Sequence, residues 1–207
     1  MIKIENVRTY GWEAAIEGMR NPKNSWKKYD SYRNDDGDFV LGPNDLNLAR
    51  SLTKAGSDHR KFLRQIFISM NITAPLYWWK EFDTYKVGTV ANSCSTMHKI
   101  HAKPFERTDF SCDRMSDDAI DCLDHVVAVL EKQRSKFVET KDLEYWHNMI
   151  QLLPSSYNQM RTCTMNYENA LKMYHARKNH KLPEWILLCQ AFTTLPNFNS
   201  MFLEEAK

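Results

Sequence analysis

The chain has 207 residues and a mass of 24.4 kDa, and its 28 basic and 26 acidic side chains leave a formal charge of +2. This length suits one domain with a sizeable core, and the near balance of charge argues against binding nucleic acid or an anionic membrane. No apolar run reaches the ~20 residues of a membrane helix, and the N-terminus lacks the apolar core of a signal peptide. We therefore predict one cytoplasmic domain over residues 1–207, with no nucleic-acid or membrane partner.

The five cysteines and the paired histidines predict no metal site. The cysteines are widely spaced and contain no Cys-x-x-Cys pair, which indicates a reducing compartment without a disulfide framework. His98 and His101 lie three residues apart, but no third ligand follows at a metal-binding spacing, which favours surface or core histidines by about five to one. Cys94 has no visible base partner, so we predict a half-buried structural thiol.

The first third of the chain predicts a strand, two helices and a long loop. Residues 1–8 are expected to form a strand and residues 12–19 a helix. Residues 22–42 are basic and rich in turn formers, and a surface loop is favoured over a phosphate-binding loop by about four to one. A second helix is predicted over residues 43–55, with Gly56 as its left-handed C-terminal residue.

The central stretch predicts a strand that leads directly into a helix. Apolar residues alternate with polar ones from Ile66 to Ile72, which is typical of a half-buried strand. Pro75 suits the start of a helix, whose apolar face would carry Leu76, Trp79 and Phe82. Further along, Gly88 either stops this helix or allows a close approach of the chain, and residues 90–97 form a polar loop that suits either a turn or a binding site.

The second half predicts helices over residues 116–136, 140–153, 155–176 and 183–194, with Thr140 capping the second of these. On this pattern the first half supplies the strands. The fold class is therefore α+β, with a small antiparallel or mixed sheet and a helix-rich C-terminal half.

The order of short motifs resembles the flavin-dependent thymidylate synthases. In that family a strand leads into a helix that opens with Ala-Pro, carries Arg-Gln, continues into Arg-His-Arg and later reaches Asn-Glu-x-Ser-x-Arg-Tyr. The C-terminal half of the family adds Leu-Pro, an Asn, an Arg and a His-x-x-Trp-Glu ending. The residues that carry the resemblance here are Phe62, Ala74-Pro75, Lys80-Glu81-Phe82, Asn92-Ser93-Cys94-Ser95, Leu153-Pro154, Asn166, Arg177, His180 and Glu184-Trp185.

The resemblance implies a methyltransferase of nucleotide biosynthesis that reductively methylates dUMP without an enzyme nucleophile. The implied cofactor is FAD, the implied co-substrates are NADPH and methylenetetrahydrofolate, and the implied assembly is a homotetramer with its sites between subunits. The residues implied at the sites are Tyr85, Lys86, Asn166 and His180 for FAD and Glu81, Ser95 and Arg177 for the pyrimidine nucleotide, with Ser95 as the catalytic residue.

Three phosphate-handling positions of the family lack their arginine in this chain. The Arg-His-Arg position reads Thr84-Tyr85-Lys86, the loop arginine is Met97, and the arginine before Leu-Pro is Ile150. Each charge-assisted hydrogen bond from a guanidinium is worth ~1.5–3 kcal/mol, far more than Lys86 restores. Two alternatives therefore stand beside the enzyme hypothesis: a catalytically inactive homologue that serves as a structural or binding oligomer, and a flavoenzyme that modifies another pyrimidine nucleotide. Arg177 itself is equally explained by the dipole of its helix.

Overall fold

The computed structural model of the chain describes residues 2–203 and confirms the α+β class. Four strands pair in the order β1-β4-β6-β5, and two short strands, β2 and β3, form a separate antiparallel ribbon. The elements are, in chain order, β1 Lys3–Tyr10, α1 Trp12–Gly18, β2 Tyr32–Arg33, β3 Phe39–Val40, α2 Pro43–Lys54, β4 Phe67–Pro75, α3 Leu76–Phe82, β5 Val90–Ser93, α4 Asp117–Thr140, α5 Leu143–Leu152, β6 Asn158–Asn166, α6 Tyr167–Arg177, α7 Pro183–Thr193 and α8 Phe198–Phe202.

Strand β4 and helix α3 confirm the prediction for the central stretch. Ile66 and the inward residues of β4 are at most 1% exposed, whereas the polar residues between them are half-buried. Pro75 is extended, and its ring fixes the entry to α3 without needing an N–H donor. On α3 the structure buries Trp78 as well as Trp79 and Phe82, and the three rings contact one another with centroids 4.9 to 5.2 Å apart.

The long helix predicted over residues 155–176 is wrong in its first half. Residues 158–166 form β6, and α6 begins only at Tyr167, so the second half of the chain also supplies a strand. Gln159, Cys163 and Met165 are buried with a period of two, whereas Met160, Cys163 and Tyr167 have the helical spacing on which the prediction depended. Pairing with the sheet decides between the two, because strand preference depends on neighbouring strands.

Smaller differences concern helix caps and short elements. Helix α5 is capped by Asp142 rather than Thr140, since the Asp142 carboxylate accepts the Glu144 N–H at 3.0 Å. Residues 90–93 of the polar loop form the edge strand β5. The terminal helix α8 was not predicted, because it is short and begins at Asn197 in a left-handed conformation.

The chain divides into two compact units, and the first consists mainly of Asn71–Thr84 and Ala91–Thr162. Its helices α4 and α5 pack on an apolar core, and burying each large side chain there stabilises the fold by ~1.5–3 kcal/mol. The buried members of this core are Ile100, Phe105, Phe110, Leu123, Leu130 and Met149.

Over the described residues, the second unit consists of Ile4–Met70, Tyr85–Val90 and residues 163–203. Tyr167 lies at its centre, with the Trp12 ring 5.0 Å away and the Phe198 ring 6.3 Å away. The Tyr167 hydroxyl donates to the Pro196 carbonyl at 2.8 Å, and burial raises the pKa of this phenol. The prediction of one domain over residues 1–207 stays a prediction.

Between residues 2 and 203, no helix combines the length and the apolar character that crossing a membrane requires.

Candidate functional site

Four residues of the second unit form a compact group at the C-terminal end of α6, which we call the Arg177 cluster: Tyr85, Arg177, His180 and Trp185. Arg177 Nε donates to the Tyr85 hydroxyl at 2.9 Å, and Arg177 Nη1 lies 2.9 Å from His180 Nε2. The guanidinium carbon is 4.8 Å from the Trp185 ring centroid and 5.7 Å from that of Tyr85, within cation–π range. The structure thus brings together three of the predicted site residues, along with Trp185.

Local sequence explains why this cluster forms. Arg177 is the last residue of α6, where a cation is favoured by the partial negative charge of the helix end. Pro183 starts α7 and brings Trp185, which is fully buried, into the first turn of that helix. His180 lies in the connection, and its Nδ1 faces the Leu182 N–H at 3.2 Å. The position of Arg177 is explained by the helix dipole, and a binding role for it stays a prediction.

The segment 85–90, which carries Tyr85 and Lys86, lies against the N-terminal end of α6. Asn169 Nδ2 donates to the Val87 carbonyl at 2.8 Å and contacts the Thr89 hydroxyl at 3.2 Å. Gly88 has a φ of +75°, and a Cβ on it would lie 3.0 Å from Asn166 Nδ2. The prediction of a close chain approach at Gly88 is confirmed, and α3 ends before it, at Phe82.

The four residues predicted around FAD therefore belong to the same unit. Tyr85 and His180 are in the Arg177 cluster, and the Asn166 side chain lies where a Cβ on Gly88 would touch it. Asn166 Oδ1 also accepts the Asn169 N–H at 2.9 Å and so caps α6. Lys86 is exposed, which leaves its ammonium in contact with solvent.

Glu81 and Ser95 belong to the first unit and are not part of the Arg177 cluster. Glu81 is half-buried on α3, and its carbonyl accepts the Thr84 hydroxyl at 2.7 Å. The Ser95 hydroxyl accepts the His98 N–H at 2.9 Å, which shapes the turn after β5. Cys94 is exposed, so the prediction of a half-buried thiol is wrong, because the β5 edge strand leaves that side chain outside.

A second arginine group lies in the first unit, and the sequence did not reveal it. We call it the Arg161 cluster: Arg161, Trp79, Asp83 and Gln159. The Arg161 guanidinium carbon is 4.2 Å from the Trp79 ring centroid, Nη1 donates to Asp83 at 2.8 Å and Nε donates to Gln159 at 3.0 Å. The helix predicted across this stretch hid the group, whereas the period-two pattern of β6 places Gln159 and Arg161 on one face.

Two other ion-pair groups in the second unit are structural. Arg20 Nε donates to Asp45 at 2.6 Å with both side chains at most 3% exposed, and Asp45 also accepts bonds from Ser31. Burial raises the pKa of Glu168, but hydrogen bonds from Arg64 and Arg60 outweigh it, so the pKa lies below its usual value. Both groups join segments of the fold that are distant in sequence.

The two cavities described next contain none of the predicted site residues in their walls. Two cavities in the second unit share Gly18 and Gln65 in their walls and measure about 370 and 550 Å³. Over the described part of the chain, residues 2–203, no three His, Cys, Asp or Glu side chains are placed to hold a metal ion.

Comparisons with known proteins identify the fold. No protein-family model and no curated protein matches the chain. Among solved structures, thymidylate synthase X (ThyX) from Helicobacter pylori, with FAD and dUMP, has a TM-score of 0.72 at 15% identity and covers 98% of both chains. The UMP/dUMP methylase PolB from Streptomyces cacaoi, bound with 5-Br dUMP, has a TM-score of 0.61 at 12% identity over 94% of this chain and 89% of its own. The chain therefore has the fold of the flavin-dependent thymidylate synthases.

Proposed function

We propose that the chain is a nucleotide methyltransferase of the flavin-dependent thymidylate synthase type. Its reaction would be the reductive methylation of dUMP, with FAD as cofactor and NADPH and methylenetetrahydrofolate as co-substrates. The observation that supports this most directly is the fold likeness to ThyX over 98% of both chains. Neighbours with FAD, dUMP and 5-Br dUMP support a pyrimidine nucleotide as the ligand.

The residues present fit part of FAD. The half-buried Tyr85 ring lies beside the Arg177 guanidinium and offers a contact to an aromatic ring system, and the buried Trp185 ring supports it from 5.7 Å away. Lys86 is exposed and supplies a point charge for a diphosphate, and the Asn166 amide offers a hydrogen bond. When bound, the flavin supplies the hydride of the reduction. We therefore keep Tyr85, Lys86, Asn166 and His180 as the proposed cofactor residues.

The nucleotide is assigned to three other residues. A guanidinium matches a phosphate in charge and geometry, which is the role proposed for Arg177. The Glu81 carboxylate accepts hydrogen bonds from a pyrimidine N–H or a sugar hydroxyl. The Ser95 hydroxyl orients the pyrimidine, and as the proposed catalytic residue it acts by hydrogen bonding. The proposed assembly is a homotetramer, which size-exclusion chromatography with light scattering tests.

A second candidate function is a non-catalytic subunit with the same fold. Two observations favour it: the three arginine positions of the family hold Thr84, Met97 and Ile150, and the Arg177 guanidinium is already bonded to Tyr85. A phosphate would have to compete with that phenol hydroxyl. Such a subunit would bind neither FAD nor dUMP.

The choice of pyrimidine is a separate question. PolB is described as a UMP/dUMP methylase and shares the fold, so a ribonucleotide is a reasonable second substrate for this chain. Parallel assays with UMP and dUMP test this choice.

The deciding experiment is a turnover assay analysed by mass spectrometry. The full chain is incubated with dUMP or UMP, FAD, NADPH and methylenetetrahydrofolate, and each component is omitted in turn. We expect a product 14 mass units heavier than the nucleotide, as one added methylene requires, and its loss whenever any component is missing. No product with either nucleotide, together with no FAD binding, would favour the non-catalytic subunit.

A further inference from the structure

The Arg161 side chain is held in one orientation by its neighbours in the first unit. Its guanidinium lies over the Trp79 ring at 4.2 Å, and its Nε donates to Gln159 Oε1 at 3.0 Å. Trp79 is itself fixed, because its ring N–H donates to the Gln159 carbonyl at 2.9 Å and its side chain is 1% exposed. A guanidinium held this way loses little rotamer freedom when it binds a ligand.

One contact of this guanidinium, the ion pair with Asp83, is exchangeable. Arg161 Nη1 donates to the Asp83 carboxylate at 2.8 Å, and the Asp83 side chain is 52% exposed, whereas that of Arg161 is 16% exposed. An ion pair with one partner in solvent adds little to stability. A phosphate group carries more charge than a carboxylate and binds a guanidinium through two parallel hydrogen bonds.

Arg161 is connected to the polar loop through Gln159. Gln159 Nε2 donates to the Cys94 carbonyl at 2.7 Å, and the Cys94 N–H donates to the Met160 carbonyl at 2.9 Å. These bonds fix the backbone directly before Ser95, which is a proposed nucleotide-binding residue. The Arg161 guanidinium and the Ser95 hydroxyl therefore lie on connected parts of the first unit.

We infer that Arg161 is a phosphate-binding residue for the substrate nucleotide and that the phosphate displaces the Asp83 carboxylate. This inference rests on the proposed function, and it names a guanidinium on β6 that offsets the arginines missing at Thr84, Met97 and Ile150. Asp83 acts as a competitor for the cation. Removing the cation and removing the competitor therefore change phosphate affinity in opposite directions.

The test measures the affinities of the full chain for dUMP and for deoxyuridine, which lacks the phosphate, by isothermal titration calorimetry. The variants are Arg161→Met, which keeps an apolar stem over Trp79, Arg161→Lys and Asp83→Asn. The matched control is Arg134→Met, because Arg134 also donates to one carboxylate, Glu131, and its side chain is 17% exposed.

We expect Arg161→Met to raise the Kd for dUMP at least about tenfold, Arg161→Lys to raise it less, and Asp83→Asn to lower it a few fold. Deoxyuridine binding and the control stay unchanged. If the wild type prefers dUMP to deoxyuridine but Arg161→Met binds dUMP equally well, this inference is wrong and the proposed function stands. If the wild type binds neither compound, both fail. Should Arg161→Met not fold, an unchanged dUMP affinity in Asp83→Asn overturns the inference.

Discussion

Arg20 and Arg161 each donate to one aspartate, but they lie in very different surroundings. The pair of Arg20 with Asp45 is almost completely covered, with side chains 3% and 0% exposed. The pair of Arg161 with Asp83 has its carboxylate half in solvent, and the guanidinium carbon lies 4.2 Å from the Trp79 ring centroid. The first pair is closed to a competing anion from solvent, whereas the Asp83 carboxylate of the second is open to solvent.

We propose that the accessibility of the partner separates structural from ligand-binding arginines in this chain. A carboxylate buried with several hydrogen bonds, as Asp45 is, fixes the fold. An arginine stacked on an aromatic ring and bonded to an exposed or neutral group is prepared for an anion. Arg177, which donates to the Tyr85 hydroxyl and contacts Trp185, belongs to the second kind.

The largest expected effect is the loss of the buried pair. Asp45→Ala should lower the free energy of unfolding by ~3–5 kcal/mol, because it leaves a buried guanidinium uncompensated and Ser31 without its acceptor. Asp83→Ala, the exposed counterpart, should cost less than ~1 kcal/mol. Urea denaturation followed by fluorescence measures both, and equal costs would remove the contrast.

The pH dependence of stability at Glu168 tests whether a buried carboxylate bonded to arginines stabilises the fold through its charge. Glu168→Gln should cost ~2 kcal/mol at neutral pH, because bonds to two arginines lose their charge. The pKa of Glu168 is lowered from 4.5, so its stabilisation is complete above that pH and is lost as the pH falls through the folded pKa. The difference between wild type and variant should thus shrink in acid. Glu13→Gln, at an exposed pair with Arg33, is the control and should barely move the denaturation midpoint. A difference that is independent of pH would contradict this explanation.

A substitution at Arg177 distinguishes phosphate binding from simple stabilisation of the C-terminal end of α6. Arg177→Ala should raise the Kd for dUMP at least about tenfold, equivalent to ~1.4 kcal/mol, if the guanidinium binds phosphate. Tyr85→Phe keeps the ring and removes only the hydroxyl that accepts from Arg177, so its effect should be smaller. Calorimetric titration gives both values. An unchanged Kd with a slightly lower melting temperature would assign Arg177 to the helix dipole alone.

The smallest expected effect concerns Gly88. Gly88→Ala and Gly37→Ala both place a side chain at positive φ, but only at Gly88 would the new Cβ meet another side chain, Asn169 Nδ2 at 2.9 Å. Gly88→Ala should therefore be less stable than Gly37→Ala by ~1 kcal/mol. Thermal unfolding of the two variants measures the difference. Equal melting temperatures would mean that segment 85–90 does not press on α6.

Sequence periodicity predicted the fold where only one period fitted. Alternation from Ile66 to Ile72 predicted β4, and Pro75 predicted the start of α3, because each signal is local. The stretch from 158 to 166 fits both periods, and its pairing in the sheet, which no local pattern contains, made it a strand. The error also displaced the start of α6 and the cap at Asn166.

Motif order, rather than geometry, led to three proposed site residues that the structure brings into contact, and their roles stay predictions. Tyr85, Arg177 and His180 are in contact because helix ends and a short connection bring them together. The Arg161 cluster was not predicted, because it forms with a ring on α3 and a carboxylate at position 83, which are remote in sequence. Motif spacing carries no information on such packing between distant elements.

The central claim is that this chain, with Thr84-Tyr85-Lys86 at the Arg-His-Arg position of the family, still binds a flavin, and the visible absorption spectrum tests it most directly. Purified full-length chain is titrated with FAD, free cofactor is removed by gel filtration, and the protein fraction is scanned, with Arg134→Met as a folded control. We predict a yellow protein that retains flavin, with absorbance bands shifted from those of free FAD. A colourless protein fraction after incubation with saturating FAD would contradict the claim and leave the fold in a non-redox role.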